Sequence, residues 1–195
     1  MLILASGSKA RLELLTSVGI YPDKIIQTNT DETAYKNELP AEYVMRIAVK
    51  KNKNVGKVDQ DLILSADTVI AVGRRILNKP KDTMEASKFL DLLSGRRHKV
   101  MTGVCLFAGG KYYKRLVKTT LRMKRLSDLE KTNYLMSQEW RGRSGGYAIQ
   151  GQAAYFFPFI SGSYSNIVGL PLTETVGLLN SVGYVKSVLL PAGSL

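Results

Sequence analysis

LILASGSKARLELL, residues 2–15, sets the fold: an apolar run passes through Ser6, Gly7 and Ser8 straight into a stretch with helical spacing. Leu2 to Ala5 reads as a short buried strand, and Leu12, Leu15 and Val18 share one stripe of a helix over Arg11–Val18. A strand that turns through small residues into a helix start leaves backbone N–H groups free to attract an anion, and the missing side chains permit close approach. Lys9 or Arg11 would add charge-assisted bonds. The turn fits neither GxxxxGKS/T nor GxGxxG, both absent from the chain. It therefore predicts an anion site, with phosphate as the natural fit.

Beyond this unit, strands and helices alternate. Leu62–Ala66, Val100–Phe107 and Tyr112–Leu121 read as strands. Helical stripes run through Glu42–Lys53 (Val44, Ile47, Ala48) and Thr83–Leu93 (Ala86, Phe89, Leu90, Leu93), with further helices over Ser127–Tyr134 and Leu172–Leu179. Asp82 or Thr83 is placed to cap the third helix, and Ser127 with Glu130 has capping-box spacing. The order predicts an α/β fold with a mixed twisted sheet and flanking helices, one domain over 1–195 without repeats or linkers. The irregular stretches Gly142–Gly151 and Ser161–Asn166 are the candidates to line a cleft.

Composition narrows the chemistry. Apolar residues at 45% and charged residues at 23% are ordinary for a soluble protein, and no window reaches the roughly 20 apolar residues of a membrane span. Met1 leads directly into a strand with no secretory pattern, so a cytoplasmic location is expected. Cys105 and His98 each stand alone, which excludes an intramolecular disulfide and any site with two histidine ligands. A metal would have to be a hard ion on oxygen ligands, magnesium or manganese. The net charge of +12 favours anionic partners or a lysine-rich solvated surface, and position must decide between them.

Several polar residues qualify as functional. In LILSADTVI, residues 62–70, Asp67 follows an apolar run where burying a charge is costly without a partner. It either faces a ligand crevice from a strand's end or caps a turn through Thr68. Asp31 and Glu32 read as an exposed loop pair unless the fold brings them to Asp67. Lys50, Lys51 and Lys79 individually read as solvated faces, but carboxylates and lysines together are what a nucleoside triphosphate and its metal require. GRRHK, residues 95–99, reads as a charged turn between a helix and a strand, and Tyr155–Phe157 as core, so no nucleic-acid partner is expected. His98 has no GxSxG serine partner for a hydrolase triad.

Taken in order, LILASGSKARLELL, Asp31–Glu32, YVMRIAVKK (43–51), SADTVIAVGRRILNKPKD (65–82), LLSGRRHKVMTGV (92–104), YAIQGQAA (147–154) and ISGSYSNIVGLPLTET (160–175) resemble the Maf family, the septum-formation-inhibitor-like nucleotide pyrophosphatases. The resemblance implies two lobes around a deep cleft and metal-dependent hydrolysis of nucleoside triphosphates to monophosphate and pyrophosphate. By that resemblance Ser8, Arg11, Lys51 and Lys79 bind phosphates, Glu32 and Asp67 hold the metal, and Asp67 activates water. Ala66-Asp67-Thr68 and Ile149-Gln150-Gly151 are similar to the dTTP- and UTP-preferring branch, with Thr68 and Gln150 toward the substrate, whereas the 7-methyl-GTP branch carries a glutamate in place of Gln150. Two departures bear on this. Ala10 stands where the branches have arginine or tryptophan, and Gly142-Arg143-Ser144-Gly145 stands for a frequent Asp-Lys-Ala-Gly. The rival expectations are a 7-methyl-GTP or broad-specificity enzyme of the same fold and a non-enzymatic nucleic-acid-binding or division-regulating protein. Family members are often dimers, so a homodimer is expected.

Overall fold

The computed structural model of the chain describes residues 1–56 and 61–184, so the expectation of one domain over 1–195 reaches past the described residues. β1 (Leu2–Leu4) is buried along its length and gives way at Ser8 to α1 (Lys9–Ser17), whose first turn is capped where Ser8 Oγ accepts from the Arg11 N–H. β2 (Lys24–Ile25) follows, then α2 (Pro40–Lys53), which starts on a proline whose missing N–H costs a helix nothing at that position. β3 (Leu62–Val72) and β4 (Arg75–Leu77) form a hairpin, and α3 (Thr83–Leu93) is capped by Asp82 accepting from the Glu85 N–H at 2.7 Å. The long strands β5 (Arg97–Ala108) and β6 (Lys111–Arg122) lead to α4 (Asp128–Met136), β7 (Phe159–Ser161), α5 (Tyr164–Val168) and α6 (Leu172–Ser181).

The sheet has the order β2-β1-β3-β5-β6-β7, with β4 also on β3. β1 lies parallel to β2 and β3, and every other pairing is antiparallel, so the mixed sheet expected from the sequence is present. Alternate residues of β3 serve two cores. Val69 and Ala71 meet Tyr43, Val44 and Ile47 of α2, while Leu64 meets Leu15 of α1 and Leu178 and Leu179 of α6. A third cluster packs Ile70 and Val100 against α3 and the fully buried Trp140 and Phe156.

Three expectations need correcting. β3 runs to Val72, not Ala66, because its pairing with β5 continues unbroken from Ile63 to Ala71; Asp67 therefore sits in mid-strand opposite Gly103, not at a strand's end. Ser161–Asn166 does not line the cleft: it closes β7 and opens α5, with Asn166 buried and its Nδ2 donating to Val100 O at 3.2 Å. Cleft contacts come instead from the residues just after it, Ile167 to Gly169. Ser127 caps α4 rather than belonging to it.

Candidate functional site

The site begins with a gap in the sheet. One edge of β3 is occupied by β5 throughout, but the other is held by β1 only at Leu62–Leu64 and by β4 only at Ile70–Val72. After Ala5 donates to Leu64 O at 2.7 Å the chain turns away through Ser6–Ser8. Among the described residues the edge of β3 from Ser65 to Val69 is therefore left without a strand, and a cleft of about 780 Å³ opens there, with Asp67 and Thr68 on its wall. A ligand crevice where neighbouring strands part is the usual place for a site in an α/β sheet.

Asp67 is buried, and it is reached from α2. Val44, Ile47, Ala48 and Lys51 occupy one helical stripe, so the lysine lies on the face that packs on the sheet. Its Nζ stands 2.7 Å from Asp67 Oδ1 and 2.7 Å from Glu32 Oε1. α2 comes this close because Gly103, opposite Asp67, has no side chain: a Cβ there would lie 2.6 Å from Val44 O. The acidic pair is thus split. Glu32 joins Asp67 through Lys51, whereas Asp31 stays in an exposed loop with Lys50 at 3.3 Å. The Glu32 backbone is fixed from below, where Tyr43 Oη donates to its carbonyl at 2.8 Å.

Burial raises the Asp67 carboxyl above the ordinary aspartate value, with the charges of Lys51 and then Arg11 pulling the other way. Arg11 is itself buried, and desolvation lowers its pKa against the opposing pull of Asp67 and Glu32. Its Nε donates to Gly169 O at 2.8 Å, and its two terminal nitrogens donate to Ser6 Oγ at 3.0 Å and Thr68 Oγ1 at 3.2 Å. It is a strut between the opening turn, β3 and the residue after α5, with its charge held close to Asp67.

The remaining candidates lie on the same cleft. Ser8 sits at the start of α1, where Lys9 and Ala10, the first helical residues, have no intrahelical acceptor for their N–H groups. Lys79 and Gln150 are exposed residues of the same lining. Ala10 is a buried part of the lining, and its small side chain takes up little of the cleft. Tyr43 and Gly169 were missed from sequence: the tyrosine reads as core because it borders an apolar stripe, and nothing local marks the carbonyl of Gly169. His98 lies outside the cleft chemistry, its Nε2 2.8 Å from the Tyr147 hydroxyl in the core and burial lowering its pKa to about 4.

Among the described residues no group of three or more His, Cys, Asp or Glu side chains is placed to hold a metal ion. Glu32 and Asp67 converge on one point, now taken by the Lys51 ammonium, and a two-carboxylate donor set suits magnesium completed by water and phosphate oxygens.

Fold and site together define an α/β protein with a cation-lined, polar cleft at an interrupted sheet edge. The chain matches the family described as Maf-like protein over residues 1–182, and it belongs to that family. It is 50% identical over 184 residues to a protein of Roseobacter denitrificans named dTTP/UTP pyrophosphatase, covering 94% of this chain and 98% of the relative. Proteins of the same name from Caulobacter vibrioides (47% over 185 residues, 94% and 96% covered) and Brucella abortus (50% over 191 residues, 94% and 92% covered) are similarly close. Among solved structures, a HAM1 protein from Coxiella burnetii aligns over 92% of this chain and 98% of its own with a TM-score of 0.51 at 14% identity, a likeness of fold.

Proposed function

We propose that this protein hydrolyses nucleoside triphosphates, dTTP and UTP foremost, to the monophosphate and pyrophosphate. The observation that carries the reading is the buried Asp67 carboxylate, held with Glu32 on Lys51 at an open strand edge beside a helix start. A polyphosphate meets N–H groups and cations there, and a carboxylate stands where water would be activated. The names of the close relatives support the reaction and the pyrimidine preference.

In this reading Asp67 takes the proton of a water whose oxygen bonds to the α-phosphorus, and the bond from that phosphorus to the bridging oxygen breaks to release pyrophosphate. Desolvation makes Asp67 a stronger base than an exposed aspartate, while Lys51 and Arg11 keep it ionised and fix its orientation. Magnesium or manganese, where held by Glu32 and Asp67, would neutralise charge on the phosphate oxygens. Lys79 and the α1 start hold the phosphates. The Gln150 amide offers a donor and an acceptor to the edge of uracil or thymine, and Ala10 keeps the lining of the same cleft small. A homodimer belongs to this reading on the family resemblance, and a cytoplasmic location is part of it; among the described residues, no helix is long and apolar enough to cross a membrane.

The test is turnover of dTTP, UTP, CTP, GTP and 7-methyl-GTP with magnesium or manganese, following monophosphate and pyrophosphate. Monophosphate and pyrophosphate from dTTP and UTP, reduced about 10²–10⁴-fold by Asp67→Asn, is the expected result. Exclusive turnover of 7-methyl-GTP would reassign the base, and no turnover of any nucleotide would overturn the proposal.

A further inference from the structure

The cations around the cleft differ in how much of their donor capacity the fold already uses. Arg11 commits three of its five N–H donors to Gly169, Ser6 and Thr68. Lys51 is divided between two carboxylates, and Lys9, almost fully exposed, lies 3.7 Å from Glu13. Lys79 and Arg143 also line the cleft, and among the described residues neither side chain has a hydrogen bond or ion pair.

Arg143 precedes two residues that tie its loop to the walls of the cleft. Gly145 N–H donates to Asn78 O at 3.0 Å, which ties the loop to the residue before Lys79. Ser144 Oγ donates to Thr68 O at 3.2 Å, on the open edge of β3. Gly145 has φ +66° and presses on β3 so closely that a Cβ would lie 2.6 Å from Ile70 Cδ1. The loop is thus pinned to β3 and to the residue before Lys79, yet among the described residues the guanidinium it carries makes no hydrogen bond or ion pair. Two cations without protein partners on the lining of one cleft suit a ligand with adjacent oxyanions, and a guanidinium meets such a ligand in bidentate fashion.

We propose that Arg143, with Lys79, binds the β- and γ-phosphates of the substrate and so the pyrophosphate that departs. The assignment rests on the pyrophosphatase reading for its substrate, but pyrophosphate binding can be measured without turnover. Titration calorimetry with pyrophosphate and, separately, with UMP, both in magnesium buffer, compares the native protein with Arg143→Ala and Arg143→Lys. Weakening of pyrophosphate binding tenfold or more in Arg143→Ala, with UMP affinity held within twofold and partial recovery in Arg143→Lys, is the expected outcome. Unchanged pyrophosphate affinity, or an equal loss for both ligands, would overturn it. A native protein that binds pyrophosphate through Arg143 but turns over no nucleotide would sink the reaction and leave the binding site standing.

Discussion

Replacing Lys51 with methionine keeps an unbranched apolar stem and removes the ammonium that Asp67 and Glu32 share. Lys51 and Asp67 are about nine-tenths buried, with side-chain exposures of 12% and 8%, so the variant strands a charge that little water can solvate. Glu32 is 44% exposed and is largely screened, so the effect belongs to Asp67. In the native protein the Asp67 carboxyl already lies above its unfolded value. The folded state therefore holds this proton to higher pH than the unfolded chain, and stability falls as pH rises from the ordinary carboxylate value toward the raised one. Removing Lys51 deletes the largest opposing influence, raises the carboxyl further and extends that window upward. Within the window the added slope cannot exceed about 1.4 kcal/mol per pH unit, the limit for one proton. Once Asp67 is ionised, the loss should reach about 3 kcal/mol, the lower end for a broken buried pair. For a chain of this size that is roughly 6–12 °C in Tm. Urea unfolding from pH 4.5 to 8.5, followed by the fluorescence of the single, fully buried tryptophan, Trp140, measures the difference. His98, whose lowered pKa makes stability rise with pH between about 4 and 6.5, is common to both proteins and cancels. The expected signature is a deficit that is small at pH 4.5 and grows with pH. A deficit of constant size, or none, would refute the account of Lys51 as the counter-charge of Asp67.

Gly103→Ala should cost about 1–3 kcal/mol in urea unfolding, because the new Cβ meets backbone atoms of Val44 that no rotamer can move aside. Turnover should fall with it, since Lys51 lies two helical turns beyond Val44 on the helix that must retreat; an unchanged stability would mean α2 is free to shift. Arg11→Lys should lose about 2–3 kcal/mol despite keeping the charge, as one ammonium cannot reach Gly169 O, Ser6 Oγ and Thr68 Oγ1 together. Full stability and activity in that variant would show that Arg11 acts as a charge rather than as a strut.

Periodicity made the frame legible: the opening strand–turn–helix, the stripes of α2 and α3 and the long strands were all visible, with ends moved by caps and by pairing. β2, β4 and β7 were not, because strands of two or three residues are defined by their partners and leave no pattern of their own. The site was visible as residue types but not as geometry. Asp31 and Glu32 are neighbours, as are Lys50 and Lys51, and the helical step of about 100° between the lysines sends one to the surface pair and the other under the cleft. Asp67 looked like a strand-ending residue because a charge in mid-strand is costly. What makes it tolerable is the missing neighbour on that edge, and such an interruption follows from how far β1 and β4 extend.

The chain carries +12 overall, yet the cleft is lined by five cations, Lys9, Arg11, Lys51, Lys79 and Arg143, against three carboxylates, Glu13, Glu32 and Asp67. A nucleoside triphosphate brings about four negative charges at neutral pH, more than the local excess of two can balance. On the proposed reading a divalent cation entering with the substrate closes that difference, and the two carboxylates are what let it bind among so many lysines and arginines. The same balance gives the unbonded cations a role: among the described residues no carboxylate pairs with Lys79 or with Arg143, and on the proposed reading their charge serves the phosphates that leave.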